Sequence, residues 1–148
     1  MEPLAVGSAA PPFAEIDLAE PRVLFFYKVT CPVCQLAAPV MERFEQAYSG
    51  RITGVGQDPE SKLRAFAADY GITFPSVVDA PPYPASRAYG VRVVPTLFLV
   101  RDGEVRDVVE SWDRDGFNRA ARGLAEIIGA EPTVLSTPDD GLPPFRPG

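Results

Sequence analysis

Histidine is absent from the 148 residues, cysteine and methionine appear twice each, and tryptophan once. Without an imidazole there can be no Ser-His-Asp or Cys-His nucleophilic site, no histidine-ligated metal and no histidine general base. Two cysteines alone fall short of the four ligands zinc usually takes, so a metal site would need carboxylates or a second subunit; no metal is expected. Haem attachment is excluded because Gln35, not histidine, follows Cys34. Positive charge is also scarce, with 14 Lys and Arg against 20 Asp and Glu and a net charge of -6. The cations are scattered, so phosphate-driven nucleic-acid binding is not expected. The longest apolar-dominated run, "VVPTLFLV" at 93–100, is far below the roughly 20 residues that cross a bilayer. No membrane segment is expected. The opening "MEPLAVGSAAPPFAEIDL" has neither a basic n-region nor a sustained apolar h-region, so the chain reads as cytoplasmic; a periplasmic or other extracytoplasmic location is the alternative if a leader has been removed.

What is present describes one α/β domain. Apolar residues make up 46% of the chain, enough for a core in a domain of this length. "RVLFFYK", 22–28, is a short apolar run rich in aromatic and β-branched residues and reads as a buried strand. From Pro32 the period changes: Val33, Leu36, Val40, Met41, Phe44 and Tyr48 stand at helical spacings, closed by Gly50. "RITGVGQ" is a second strand, followed by Asp58 as expected N-cap, Pro59 in the first turn and a helix ending at Gly71. "FPSVVDA" and "PYPASRAYG" give a third short strand and a short helix. "TLFLV" and "EVRDVVES" flank an Asp102-Gly103 hairpin signal, and Asp113 opens a last helix through Phe117, Leu124 and Ile128 to Gly129. The order β-α-β-α-β-α-β-β-α predicts a three-layer α/β fold with a central mixed sheet. Residues 130–148 carry five prolines in nineteen residues and read as an extended tail, laid along the domain or mobile, with a lesser reading as a polyproline docking segment.

Cys31 and Cys34 fall where the first strand passes into the first helix. A structural disulfide between residues three apart closes a very small loop and gains little chain-entropy stabilisation. A reactive pair has a mechanism instead. In the first turn of a helix the unpaired N–H groups and the dipole favour a thiolate at Cys31, and Cys34 lies one turn further in, within reach of a mixed disulfide formed there.

"YKVTCPVCQLAAP" and "YGVRVVPTLFLVRDGEV" together resemble the thioredoxin superfamily. The first resembles its strand, CxxC and helix, with Pro39 at the position where that helix kinks; in the second, Pro95 between Val94 and Thr96 matches the cis-proline that faces the disulfide. "VGSAAPPFAEIDL" and the stretch from "GVGQDPE" to "VVPT" are similar to the TlpA/ResA-like (redoxin) branch. The resemblance covers about residues 6–129, and implies a thioredoxin-like domain over 1–129 with an extra β-α insertion at about 71–90, before the cis-Pro strand.

The resemblance implies a thiol-disulfide oxidoreductase, without cofactor, in which Cys31 attacks, Cys34 resolves, and a redox disulfide joins the two. Val94, Pro95 and Thr96 would hold the substrate chain by backbone pairing. Tyr27 and Thr30 stand where thioredoxin keeps its two active-site tryptophans. Trp112, in "ESWDR", is expected beside the cis-proline loop, either lining the substrate groove over Cys31 or simply packing on the last helix. Lys28 either stabilises the thiolate or is a solvated strand end. Two departures stand out. Phe25 occupies the position of thioredoxin's buried aspartate, and Ala37 the place where TlpA/ResA-like members often have a glutamate, so Cys34 lacks an obvious proton acceptor. The expected partners are a protein or small-molecule disulfide and a recycling dithiol, acting on a monomer. A thiol peroxidase using Cys31 is the nearest rival, weakened by the wrong spacing of Thr30; a redox-silent thioredoxin-fold binding module is a third reading.

Overall fold

A computed structural model describes residues 1–148. Five strands, β1 (Arg22–Tyr27), β2 (Ile52–Gly56), β3 (Ser76–Val78), β4 (Thr96–Arg101) and β5 (Glu104–Glu110), form one mixed sheet in the order β3-β2-β1-β4-β5. β1 runs parallel to β2 and antiparallel to β4, and β2 runs parallel to β3. Helices α1 (Pro32–Ala47), α2 (Glu60–Tyr70), α3 (Pro84–Ala88) and α4 (Arg114–Ile128) complete the main framework. No helix is long and apolar enough to cross a membrane.

The sequence pattern explains the layering. β1 and β4 are central strands with both faces covered, so they read as continuous apolar runs rather than alternating ones. Their odd and even positions nevertheless serve different cores. Val23, Phe25, Tyr27, Leu97 and Leu99 pack with α1, α2 and α4, whereas Leu24, Phe26, Phe98 and Val100 pack with α3 and the N-terminal segment around Ala10 and Leu18. Each such fully buried side chain stabilises the fold by about 2 kcal/mol relative to exposure. The Asp102-Gly103 turn has φ of 54° and 69°, the left-handed pair that matches the twist of a two-residue hairpin. The β3-α3 unit lies where the insertion is expected, added at the β2 edge. Asp79, buried at the end of β3, accepts N–H bonds from Ala85 and Ser86 and so ties α3 to the sheet.

One expectation is corrected, and one open alternative is decided. Asp58 does not cap α2: Pro59 is the N-cap and contributes no side-chain bond, while the Asp58 carboxylate turns to the Val29 N–H at 2.9 Å. The tail is laid along the domain and contains a strand, β7 (Phe145–Arg146), which pairs antiparallel with β6 (Trp112–Asp113). Tyr48 binds both ends of its first stretch, donating to Glu131 O and accepting from Thr133 N–H. Leu135 then enters the larger core.

Candidate active site

β1 ends at Tyr27 and a turn carries the chain to Cys31, the N-cap of α1, with φ -82° and ψ 117°. Pro32 follows at a position where a missing N–H costs nothing. The Cys31 sulfur accepts the Cys34 N–H at 3.2 Å, taking a donor that the helix start would otherwise leave unpaired. The two cysteines are free and 3.1 Å apart. Their environments differ: Cys31 is partly exposed, Cys34 fully buried. Burial pushes the Cys34 thiol far above the ordinary cysteine range; the Lys28 backbone N–H facing its sulfur opposes this, while Cys31 and the Asp58 charge add to it. Cys34 therefore rests as a neutral thiol at physiological pH.

The turn before Cys31 is held from two sides. Asp58 accepts the Val29 N–H, and the Gln35 amide donates to Val29 O at 3.0 Å. Cys31 N–H closes the turn on Lys28 O. The sequence marks Asp58 as a helix cap and not as a partner of this turn, because the loop between β2 and α2 meets the cysteine turn only through the parallel β1-β2 pairing. Phe25 and Ala37 are fully buried apolar side chains, and Asp58 is the carboxylate whose charge reaches Cys34.

The Val94–Pro95 peptide is cis, and Val94 O lies 3.5 Å from the Cys31 sulfur. Val94 therefore faces Cys31. Thr96 does not offer a free backbone edge: it begins β4, pairs with Phe26 on one side and Glu110 on the other, and its hydroxyl donates to Val93 O. Thr30 is exposed beside Cys31. Tyr27, expected to bind substrate, is instead buried, stacked on Phe25 at 5.3 Å and hydrogen-bonded to the Ser76 hydroxyl, so its ring packs into the core beneath the turn rather than opening to the surface. Burial raises its phenol above the ordinary tyrosine value.

Trp112 does not line an open groove. It is fully buried, packs against Phe117 at 4.8 Å, and donates its indole N–H to Pro143 O at 2.7 Å. The ring lies where an apolar body and one polar atom both find partners, and the tail supplies the acceptor. The sequence offered no sign that residues 143 and 112 meet. Arg114 is a second anchor missed in sequence: its guanidinium is almost buried and donates to Ser136 Oγ and Leu142 O.

Comparison with known proteins agrees with this geometry. The chain is 32% identical over 123 residues to the thiol-disulfide oxidoreductase ResA of Geobacillus thermodenitrificans, covering 72% of this chain and 70% of that protein. MTB dsbF, solved in mixed oxidised and reduced forms, is 28% identical with a TM-score of 0.61, covering 72% of this chain and 82% of its own. The thioredoxin domain of a thiol-disulfide oxidoreductase from Bacteroides vulgatus superposes with a TM-score of 0.69 at 19% identity, over 82% of this chain and 99% of that domain, which fixes the fold as thioredoxin-like. The pattern of the AhpC/TSA family matches residues 12–108, from the N-terminal segment through most of β5, and with the ResA relationship it places this chain in that family, on its ResA-like side.

Proposed function

We propose that the chain reduces or exchanges disulfides through the Cys31/Cys34 pair. The observation that carries the reading is the pairing of a partly exposed sulfur at the head of α1 with a buried thiol 3.1 Å away, opposite the Val94–Pro95 peptide. The Cys31 thiolate attacks a substrate disulfide; one substrate sulfur leaves as a thiolate and takes up a proton, and the other stays bonded to Cys31. Cys34 then loses its proton and attacks the Cys31 sulfur. The second substrate thiolate leaves, the substrate has gained two electrons, and the protein holds a Cys31–Cys34 disulfide that an external dithiol must reduce. Val94 and Pro95 present the backbone edge against which an extended substrate would lie.

The ResA-like relationship supports disulfide exchange over peroxide reduction. The test is the reduction potential of the pair against glutathione, with insulin reduction by the wild type compared with Cys31→Ser. A titratable two-electron couple together with insulin reduction lost in Cys31→Ser is expected. Peroxide consumption without disulfide reduction would replace this reading with the peroxidase.

A further inference from the structure

The last residues of the tail differ from those before them. Residues 135–144 are rooted: Leu135 is buried, Asn118 accepts the N–H groups of Leu135 and Ser136, Arg114 holds Leu142 O, and Trp112 holds Pro143 O. Beyond Pro144 every residue is exposed. Phe145–Arg146 add only a two-residue ladder to β6, and the Gly148 N–H donates to Ser111 Oγ at 3.0 Å. A short, solvated pairing of this kind belongs to the low-stability end of a fold.

The place where this tip ends is the edge of the site. Gly148 approaches Val94 so closely that a Cβ there would collide with Val94 O. That oxygen is the one facing the Cys31 sulfur. Ser111, which receives the Gly148 N–H, is itself tied to the same loop by its N–H to Pro95 O. Segment 145–148 therefore lies on the strip of backbone that an extended substrate chain would need, while Cys31 remains partly exposed.

We propose that residues 145–148 form a displaceable strap that sorts disulfides by what carries them. A polypeptide disulfide must lift the strap to lie along Val94, whereas a small disulfide reaches Cys31 with the strap in place. The inference rests on Cys31 being the attacking thiol. The strap competes intramolecularly, so its effective concentration is high although its own contacts are few, and apparent substrate affinity falls by the fraction of time the edge is open. Rooting by Arg114 and Trp112 keeps the tip near its edge after displacement.

The test uses the Cys34→Ser chain, in which a mixed disulfide at Cys31 persists. Its rates of reaction with DTNB, a small disulfide, and with insulin are compared in three forms: the full chain, the chain without residues 145–148, and Gly148→Val. The valine side chain collides with Val94 O and pushes the tip away without shortening the chain. Removal is expected to speed insulin capture about fivefold or more while the DTNB rate stays within about twofold, and Gly148→Val is expected to follow it. An unchanged ratio of insulin to DTNB rates in both altered chains overturns the strap. A slower insulin reaction also overturns it, because the tip would then be part of the docking platform. If Cys31 reacts with neither disulfide in any form, the attacking role of Cys31 fails first and the strap with it, a signature distinct from the other two.

Discussion

The Cys31 thiol and the carbonyl oxygen of Val94 lie 3.5 Å apart although 63 residues separate them in the chain. The antiparallel pairing of β4 with β1 brings them together, with Phe26 opposite Thr96 just inside the contact. The cysteine pair and the backbone that would position its substrate are thus fixed by the same two strands.

The two cysteines should fail differently. Cys31→Ser removes the attacking sulfur and should cut insulin reduction by about a thousandfold or more, to the uncatalysed background. Cys34→Ser should still capture substrate and accumulate a mixed disulfide at Cys31, seen by mass spectrometry. Stable capture at position 34 in Cys31→Ser would reverse the assigned roles.

Resolution should be limited by the Cys34 proton. Because burial holds that thiol neutral, the thiolate fraction rises about tenfold per pH unit well below its pKa. The decay of a Cys31 mixed disulfide should accelerate with that slope from about pH 7 to 9 in single-turnover stopped-flow measurements of the chemical step. A flat profile would mean that Cys34 finds a base the structure does not place beside it.

The same group makes the reduced protein sensitive to alkali. Its folded pKa is raised above the unfolded value of about 8.5, so its contribution to stability is complete below that pH and is lost as pH rises towards the folded value. The slope is at most about 1.4 kcal/mol per pH unit. Tyr27 and Tyr89, also raised by burial, add the same sign only above about pH 10. Urea midpoints of the reduced protein between pH 8.5 and 10 should therefore fall, and Cys34→Ala should flatten that fall.

Asp58 should act on Cys34 through its charge. That charge opposes the thiolate, and the carboxylate also accepts the Val29 N–H. Asp58→Asn keeps an acceptor oxygen and removes the charge, so resolution near pH 7 should quicken by on the order of threefold. Slower resolution, with capture at Cys31 unchanged, would instead make Asp58 the proton acceptor.

Arg114 and Asp140 should control the root of the tail. Arg114→Ala leaves Leu142 O and Ser136 without their donor and should cost about 2–4 kcal/mol in urea denaturation, with early proteolysis near residues 137–142. Asp140, held down to about 2 by Ser136 Oγ and the Leu142 N–H with help from Arg43 and Arg114, is depressed relative to an ordinary carboxyl. Its contribution is present above about pH 4 and lost as pH falls towards 2, so protease sensitivity of the tail should rise over that interval.

Much of the framework was legible in the sequence because local and global signals agree there. The β1 run, the helix beginning at Pro32, the Asp102-Gly103 hairpin and the Gly129 stop are each short-range signals, and the fold uses them as written. The cysteine pair and Pro95 were legible through their motifs. Other features depend on meetings that short-range pattern cannot encode. Asp58 looked like a helix cap because an Asp-Pro pair often is one, but the turn before Cys31 needed an acceptor for Val29 N–H more than α2 needed a cap. Thr96 belonged to the proline motif, yet strands on both sides consume its backbone. Trp112 was placed at the correct end of the molecule, and of its two readings the packing on the last helix is the one the fold uses; its polar partner was illegible, because nothing in a proline-rich tail announces that Pro143 O will meet an indole 31 residues away.

That last contact gives the protein a built-in optical gauge. The only tryptophan reports on the seating of the chain's final stretch: its ring is shielded and its N–H is spoken for while Pro143 is in place. Lifting the root of that stretch wets the indole and shifts its emission to longer wavelength. The kinetics of unseating can thus be followed in the native chain, without a label, by watching one colour change.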